Sequence, residues 1–332
     1  MNKRNALTEL VSQSEIASFL QKIKTATAPA VLRGLCKHWP LVSHGTTASS
    51  LGSYFAQFSN DKPIQCFHAN ASEKGRYFYN AVFDGFNFSR QRTTLTALCE
   101  QLCQQDESAG SYYMGSTAVD YILPGLRTQN DISTLSDAPL VSLWLGNRSI
   151  IAAHYDSTQN LACVLAGKRR FRILAPEYAD ALYPGPIDFT PAGQPASLVD
   201  FNAPNYQAFP KFAEAEANML DVTLLPGDAI FIPALWWHHV QADGHCNAMM
   251  NYWWRNAADY APAPMDAMML SIIAIRDLPE EERKVWQRYF KDAVFEPTKV
   301  SHIPEHARGI LGKLSNDTVR KVRQLLLQKL NR

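Results

Sequence analysis

Three side chains carry the clearest chemistry in this chain: His154 and Asp156 in the run SIIAAHYDSTQN, and His238 in PGDAIFIPALWWHHV. Two imidazoles and one carboxylate make the facial set that binds non-heme Fe(II), leaving the remaining coordination positions open for a co-substrate and O2. In a strand, residues i and i+2 point to the same side. His154 and Asp156 can therefore reach one ion while Tyr155 turns away. The third ligand has to arrive from a distant strand, and the second segment has that form. A Pro-Gly-Asp turn leads into an apolar strand, then into Trp236, Trp237, His238 and His239. Strand parity sends His239 to the face opposite His238, so only one of the two can serve the ion. Zinc would satisfy the same donors. A closed structural zinc site is disfavoured, because this set leaves positions open.

Such a set needs a rigid sheet to hold it. From about Leu140 to Trp254 the chain reads as strand after strand, punctuated by Gly, Pro and Asn. That pattern indicates an all-β barrel or sandwich, not alternating βα units. Residues 7–25, 47–58 and 93–105 have helical spacing, with TTLTALCEQLC the clearest amphipath. APAVLRGL reads as a buried strand and GSYYMGSTAV begins another, while KPIQCFHA and RYFYNAVF alternate like a hairpin. Tyr183 to Ala217 is long, rich in Pro and Asn and poor in periodicity, which marks a functional or disordered segment. Its aromatics, Phe189, Phe201, Tyr206, Phe209 and Phe212, favour an ordered covering loop. After Ala261 the pattern turns helical. The stripe Met265, Met268, Met269, Ile272, Ile273 and Ile275 is too apolar for a free helix. It packs on the chain's own barrel or on a second copy.

Composition narrows the function. The chain has 332 residues, 46% of them hydrophobic, enough for a large core. A net charge of +1 and the lack of a basic run leave no electrostatic footprint for DNA. No stretch of about 20 apolar residues suggests a membrane span, and the first residues lack a signal peptide's apolar core. The expectation is a cytoplasmic protein. Cys99 and Cys103 would share a helix face, but no further ligands accompany them, so the six cysteines read as reduced thiols.

The HxD and WWH segments, with HYDSTQNLACVLAGKRRFRILAP, YPGPIDF, SLVDFNAPNYQAFPKF, NAMMNYWW and PAVLRGLCKHWP, resemble the JmjC/cupin-like family of Fe(II)- and 2-oxoglutarate-dependent oxygenases. Within it they are most similar to the hypoxia-inducible-factor asparaginyl hydroxylase branch. The resemblance covers most of the chain. It implies a mainly β double-stranded β-helix (jelly-roll, cupin) barrel at 111–258, an N-terminal helix and strand extension at 1–110, and a C-terminal helical region at 259–332. It further implies Fe(II), 2-oxoglutarate and O2 as reactants, with succinate and CO2 as co-products. Relatives of this kind dimerise through C-terminal helices, so a homodimer is expected.

A 2-oxoglutarate enzyme needs a cation for the distal carboxylate. In AGKRRFRIL, Arg169, Phe171 and Ile173 share one face, and their apolar company puts Arg169 inside. The resemblance places Arg169 where the asparaginyl branch has a lysine, and Lys168 is the alternative. Ile151 stands where that branch has a donating threonine, so one hydrogen bond is missing or is supplied from elsewhere. Asn160 and Asn251 match co-substrate-contacting asparagines, Tyr113 a tyrosine (with Tyr112 beside it), and Trp253 a pocket aromatic. The resemblance places the metal ligand directly after the second tryptophan, at His238, which leaves His239 structural or substrate-side; Trp236 and Trp237 read as scaffold. The substrate is a protein side chain, taken as an extended peptide across the barrel mouth, or a small molecule; a modified RNA base stays open. Two rival readings are a non-catalytic cupin-like sensor and a metal cupin enzyme that does not use 2-oxoglutarate.

Overall fold

The computed structural model describes residues 7–104, 107–135, 139–191, 193–296 and 300–331. Strand β1 (Thr8–Leu10) comes first, then helix α1 (Gln13–Lys22), so the helix starts later than its spacing suggests. Ser12 is the reason. It caps α1 and closes a capping box with Glu15, which needs extended backbone just where the earlier residues would have to be helical. Next come β2 (Ala30–Leu32), α2 (Pro40–His44), α3 (Ala48–Ala56), β3 (Ile64–Ala69), β4 (Arg76–Tyr77) and β5 (Phe88–Thr93). Helix α4 (Leu95–Cys103), β6 (Ser111–Ala118) and α5 (Val119–Ile122) complete the approach to the barrel.

The hairpin expected between KPIQCFHA and RYFYNAVF does not form. β3 pairs antiparallel with β5 and β6, whereas β4 crosses over and pairs in parallel with β8 (Ser149–Tyr155). Gly75 permits the crossing. Its φ is +80°, and a Cβ there would lie 2.8 Å from the Arg148 carbonyl oxygen.

The remaining core strands are β7 (Leu140–Gly146), β9 (Gln159–Leu174), β10 (Leu220–Leu224), β11 (Ala229–Ile232) and β12 (Trp237–Trp254), with α6 (Phe212–Ala217) ahead of β10. Along the sheet the order is β1-β2-β11-β9-β12-β7-β6-β3-β5, with β8 and β10 added on β12 and β9. β12 pairs with β8 in its first half, with β7 in its second, and with β9 in both. One strand thus serves both walls, and the result is a mainly β jelly-roll barrel with flanking helices. In β9, Leu161, Cys163 and Leu165 pack under the helices with Leu51, Phe55 and Leu98. Ala162 and Val164 face inward with Phe171, Ile230 and Met249. Burial on both faces explains why that run shows no alternation.

Partway along β9, its register with β12 slips between Asp243 and Ala248. Gly167 sits there with φ +70°, and a Cβ would come within 2.1 Å of Asn247 Oδ1. Gly167→Ala is expected to cost about 2 kcal/mol or more through backbone strain and overpacking, read as a lower denaturant midpoint. Residues 183–191 and 193–217 form a cover: Phe201 and Phe212 are buried, and bridges join His154 to Ala196 and Pro184 to Ser197. Residues 1–256 form one compact unit and 257–332 another. The second contains α7 (Pro264–Ile275), α8 (Glu280–Phe290) and α9 (Asn316–Leu330), none of which buries a residue. No helix among the described residues is long and apolar enough to cross a membrane.

Candidate metal centre and co-substrate pocket

His154 on β8 stands directly opposite His238 on β12, and Asp156 follows the last residue of β8. One ligand atom from each of the three lies within 4.8 Å of the others. His238 Nε2 is 3.7 Å from Asp156 Oδ2, and the imidazole centroids are 4.4 Å apart. Both rings are oriented by backbone. His154 Nδ1 is 2.9 Å from the Ala152 carbonyl oxygen, and His238 Nδ1 is 3.1 Å from that of Trp236. A carbonyl can only accept, so Nδ1 carries the proton and Nε2 keeps its lone pair for a metal. Burial, reinforced by His154, holds the His238 pKa well below its usual value, which keeps the ring in the neutral form that ligates.

The carboxylate is oriented as well. Asn251 Nδ2 donates to Asn160 Oδ1 at 2.7 Å, and Asn160 Nδ2 donates to Asp156 Oδ2 at 3.1 Å. These two asparagines therefore act on the ligand carboxylate, a role the motif resemblance did not suggest. Leu235 N donates to the Asp156 carbonyl at 2.8 Å, and Ala234 N to Gln159 Oε1 at 3.2 Å. Leu235 has φ +68°, a conformation that costs a side-chain-bearing residue roughly 1–3 kcal/mol. Nothing in a leucine's identity announces that turn. The donor geometry, neutral nitrogens and oriented carboxylate fit a divalent metal.

A cavity of about 540 Å³ opens over these ligands. Arg169, Tyr113, Asn160, Asn251 and Trp253 line it, whereas Lys168 is exposed and does not. Arg169 is 1% exposed, its Nε has no hydrogen-bond partner, and the Tyr113 hydroxyl lies beside its guanidinium. Burial pushes the Arg169 pKa down and that of Tyr113 up. No acid among the described residues pairs with Arg169. Holding a guanidinium in the interior without an anion costs several kcal/mol, so this is the arrangement of a carboxylate receptor. The cavity fits a dicarboxylate chelated at one end and paired at the other.

Ile151 stands in register with Tyr77 of β4. The Tyr77 hydroxyl is buried with the Ser111 side chain beside it, and its ring centroid is 5.3 Å from that of Tyr113. Sequence reasoning missed Tyr77, because only the crossing of β4 brings it beside Ile151. His239 faces away from the metal and stacks on Phe201, with centroids 5.1 Å apart and an interplanar angle of 6°. Arg172 packs against His239 and donates to the Phe201 carbonyl and to Asn202 Oδ1, both at 2.6 Å. The pair fastens the covering loop. Trp237 is buried against Tyr155, and Trp236 packs on the barrel interior.

Residues 16–260 match the family described as a cupin-like domain. The chain belongs to that family, the JmjC-type cupin oxygenases, whose members use Fe(II) and 2-oxoglutarate. It is 24% identical over 350 residues to Lysine-specific demethylase JMJ31 of Arabidopsis thaliana, covering 94% of this chain and 61% of the relative. It is 24% identical over 244 residues to Jumonji C domain-containing protein 5 of Drosophila melanogaster, covering 72% and 57%. A shorter match of 119 residues, 32% identical, links it to tRNA wybutosine-synthesizing protein 5 of Danio rerio, covering 36% and 31%. The chain thus spans less than two thirds of the length of these relatives.

Proposed function

We propose that this protein is an Fe(II)- and 2-oxoglutarate-dependent hydroxylase acting on a protein side chain or a small molecule. The observation that carries the reading is a buried, acid-free Arg169 lining the same cavity as the His154, Asp156 and His238 set. Bound Fe(II) and 2-oxoglutarate supply oxidative decarboxylation coupled to insertion of one oxygen atom into a substrate C–H bond. The chain's own residues prepare that event. His154, Asp156 and His238 would hold the metal from one side. Arg169 would fork onto the distal carboxylate, with the Tyr113 hydroxyl beside it. Val240, Met249, Phe171 and Trp144 line the cavity with apolar surface, which excludes water and strengthens the ionic contact. The presence of Asp156 as a carboxylate ligand favours hydroxylation over halogenation, which needs that position for halide.

Tyr77 is the proposed source of the hydrogen bond that Ile151 cannot provide. Tyr77→Phe is expected to weaken 2-oxoglutarate binding roughly tenfold, and adding Ile151→Thr to restore most of it, both read from a binding titration. The reading as a whole is tested by anaerobic titration of the apoprotein with Fe(II) and 2-oxoglutarate. A visible charge-transfer band needing both components, bleaching with succinate release when O2 is admitted, is the expected result. Iron binding without the band would hand the lead to a sensor protein or a 2-oxoglutarate-independent metal cupin. Six unpaired cysteines suit a reducing cytoplasm. A second copy of the chain is the proposed partner of the helical unit, where Ile273 is 82% exposed. Light scattering should give a dimer that Ile273→Glu weakens.

A further inference from the structure

The acidic and basic side chains lining the cavity, among the described residues, are Asp156, His154, His238, Arg169 and Arg90, and its two tyrosines, Tyr77 and Tyr113, stay neutral. With the proposed ligands bound, all but one of their charges is matched. The two positive charges of the metal and the one on Arg169 balance the Asp156 carboxylate and the two carboxylates of 2-oxoglutarate, and the imidazoles are neutral. Arg90 is left over.

It stands on β5, in the outer wall formed with Gln65, Phe67 and Phe88. Its guanidinium lies over the rings of Phe67 and Phe86, 5.9 and 5.7 Å from their centroids. Such stacking holds the flat face of the group and leaves its N–H edge free to fork onto an anion. Among the described residues Arg90 makes neither an ion pair nor a side-chain hydrogen bond. Arg92, two residues on and therefore on the same strand face, is exposed and likewise without an ion pair. Asp188 of the covering loop sits near Tyr79 and does not line the cavity. β5 also ends the sheet, with one edge unpaired among the described strands. An extended peptide can join such an edge through its main chain.

We infer, resting on the oxygenase reading above, that the substrate is an acidic peptide segment. An Asp or Glu carboxylate of the peptide pairs with Arg90, and a neighbouring residue reaches down to the metal centre. The same charge count works against a methylated lysine. That cation would pass Arg90 at the mouth and enter a cavity whose single carboxylate is a metal ligand.

The test uses the full chain loaded with Fe(II) and 2-oxoglutarate. The probes are degenerate fluorescent peptides with Asp/Glu-biased, Lys-biased or neutral flanks, a trimethyl-lysine set, N-acetyl amino acids and oligoribonucleotides. Anaerobic anisotropy reads binding, and succinate release reads coupling once O2 is admitted. The expected result is at least tenfold tighter binding and faster succinate release with the acidic peptides than with the Lys-biased ones. Arg90→Gln should remove that preference and Arg90→Glu should invert it. The inference is overturned if Lys-biased or trimethyl-lysine peptides are preferred, or if the acidic preference survives Arg90→Glu. It is equally overturned if only the small acids or the oligoribonucleotides respond, or if no acidic peptide binds although the charge-transfer band forms. Absence of the band in the wild-type protein marks failure of the oxygenase reading itself.

Discussion

Replacing Asp156 with alanine is expected to strip the protein of Fe(II) and to cut 2-oxoglutarate turnover by more than a hundredfold. Two neutral imidazoles would remain, without the anionic donor that offsets the metal's charge. Changing only an outer partner of a metal ligand typically costs 10–100-fold in affinity or activity, and a ligand itself must exceed that. Asn160→Ala provides the graded comparison. It leaves Asp156 in place but removes the 3.1 Å hydrogen bond that orients it, so its loss should fall inside that 10–100-fold range. Metal analysis of the purified variants decides the matter. Iron retained at the wild-type level in Asp156→Ala would sink the ligand assignment.

Arg169→Met should have two effects of opposite sign. The half-saturating 2-oxoglutarate concentration should rise about thirtyfold or more, since truncating one side of a buried charge pair costs roughly 2–5 kcal/mol. The protein without co-substrate should nevertheless be as stable as wild type or more so. Its guanidinium is buried with no acid partner, and replacing such a charge by an apolar side chain of similar length removes a desolvation cost. Thermal unfolding with and without 2-oxoglutarate shows both effects. Wild type should be stabilised by added 2-oxoglutarate through mass action, and the variant should not. Lys168→Ala, an exposed change, should alter neither quantity. A large rise in the 2-oxoglutarate requirement from Lys168→Ala instead would make Lys168, not Arg169, the carboxylate's partner.

Some of this site was open to inspection in the linear chain. His154 and Asp156 are two apart, and extended backbone with a period of two puts both on one side, although Asp156 lies just past the end of β8. The same rule puts Arg169 and Lys168 on opposite faces, and apolar neighbours mark Arg169 as the inner one; it also separates His238 from His239, between which the family's WWH pattern chooses. The helices α3 and α4 announce themselves through Thr47 and Thr94, whose side chains cap them. Neighbours in sequence do not always become neighbours in space. RYFYNAVF has the alternation of a hairpin partner for β3, yet β4 pairs in parallel with β8.

The donor types, their faces and the all-β character of the core could be read along the linear chain. These depend on local periodicity and on side-chain chemistry, and both are written along the chain. It took the folded barrel to set His154 opposite His238, to link Asn251 to Asp156 through Asn160, and to bring Tyr77 beside Ile151. The fold alone brought Arg90 to the mouth of the same cavity. Each of these is a pairing between segments far apart in sequence. Such pairings follow from which strands share a buried face and where a bulge or glycine shifts the register, and no window of neighbouring residues contains that information.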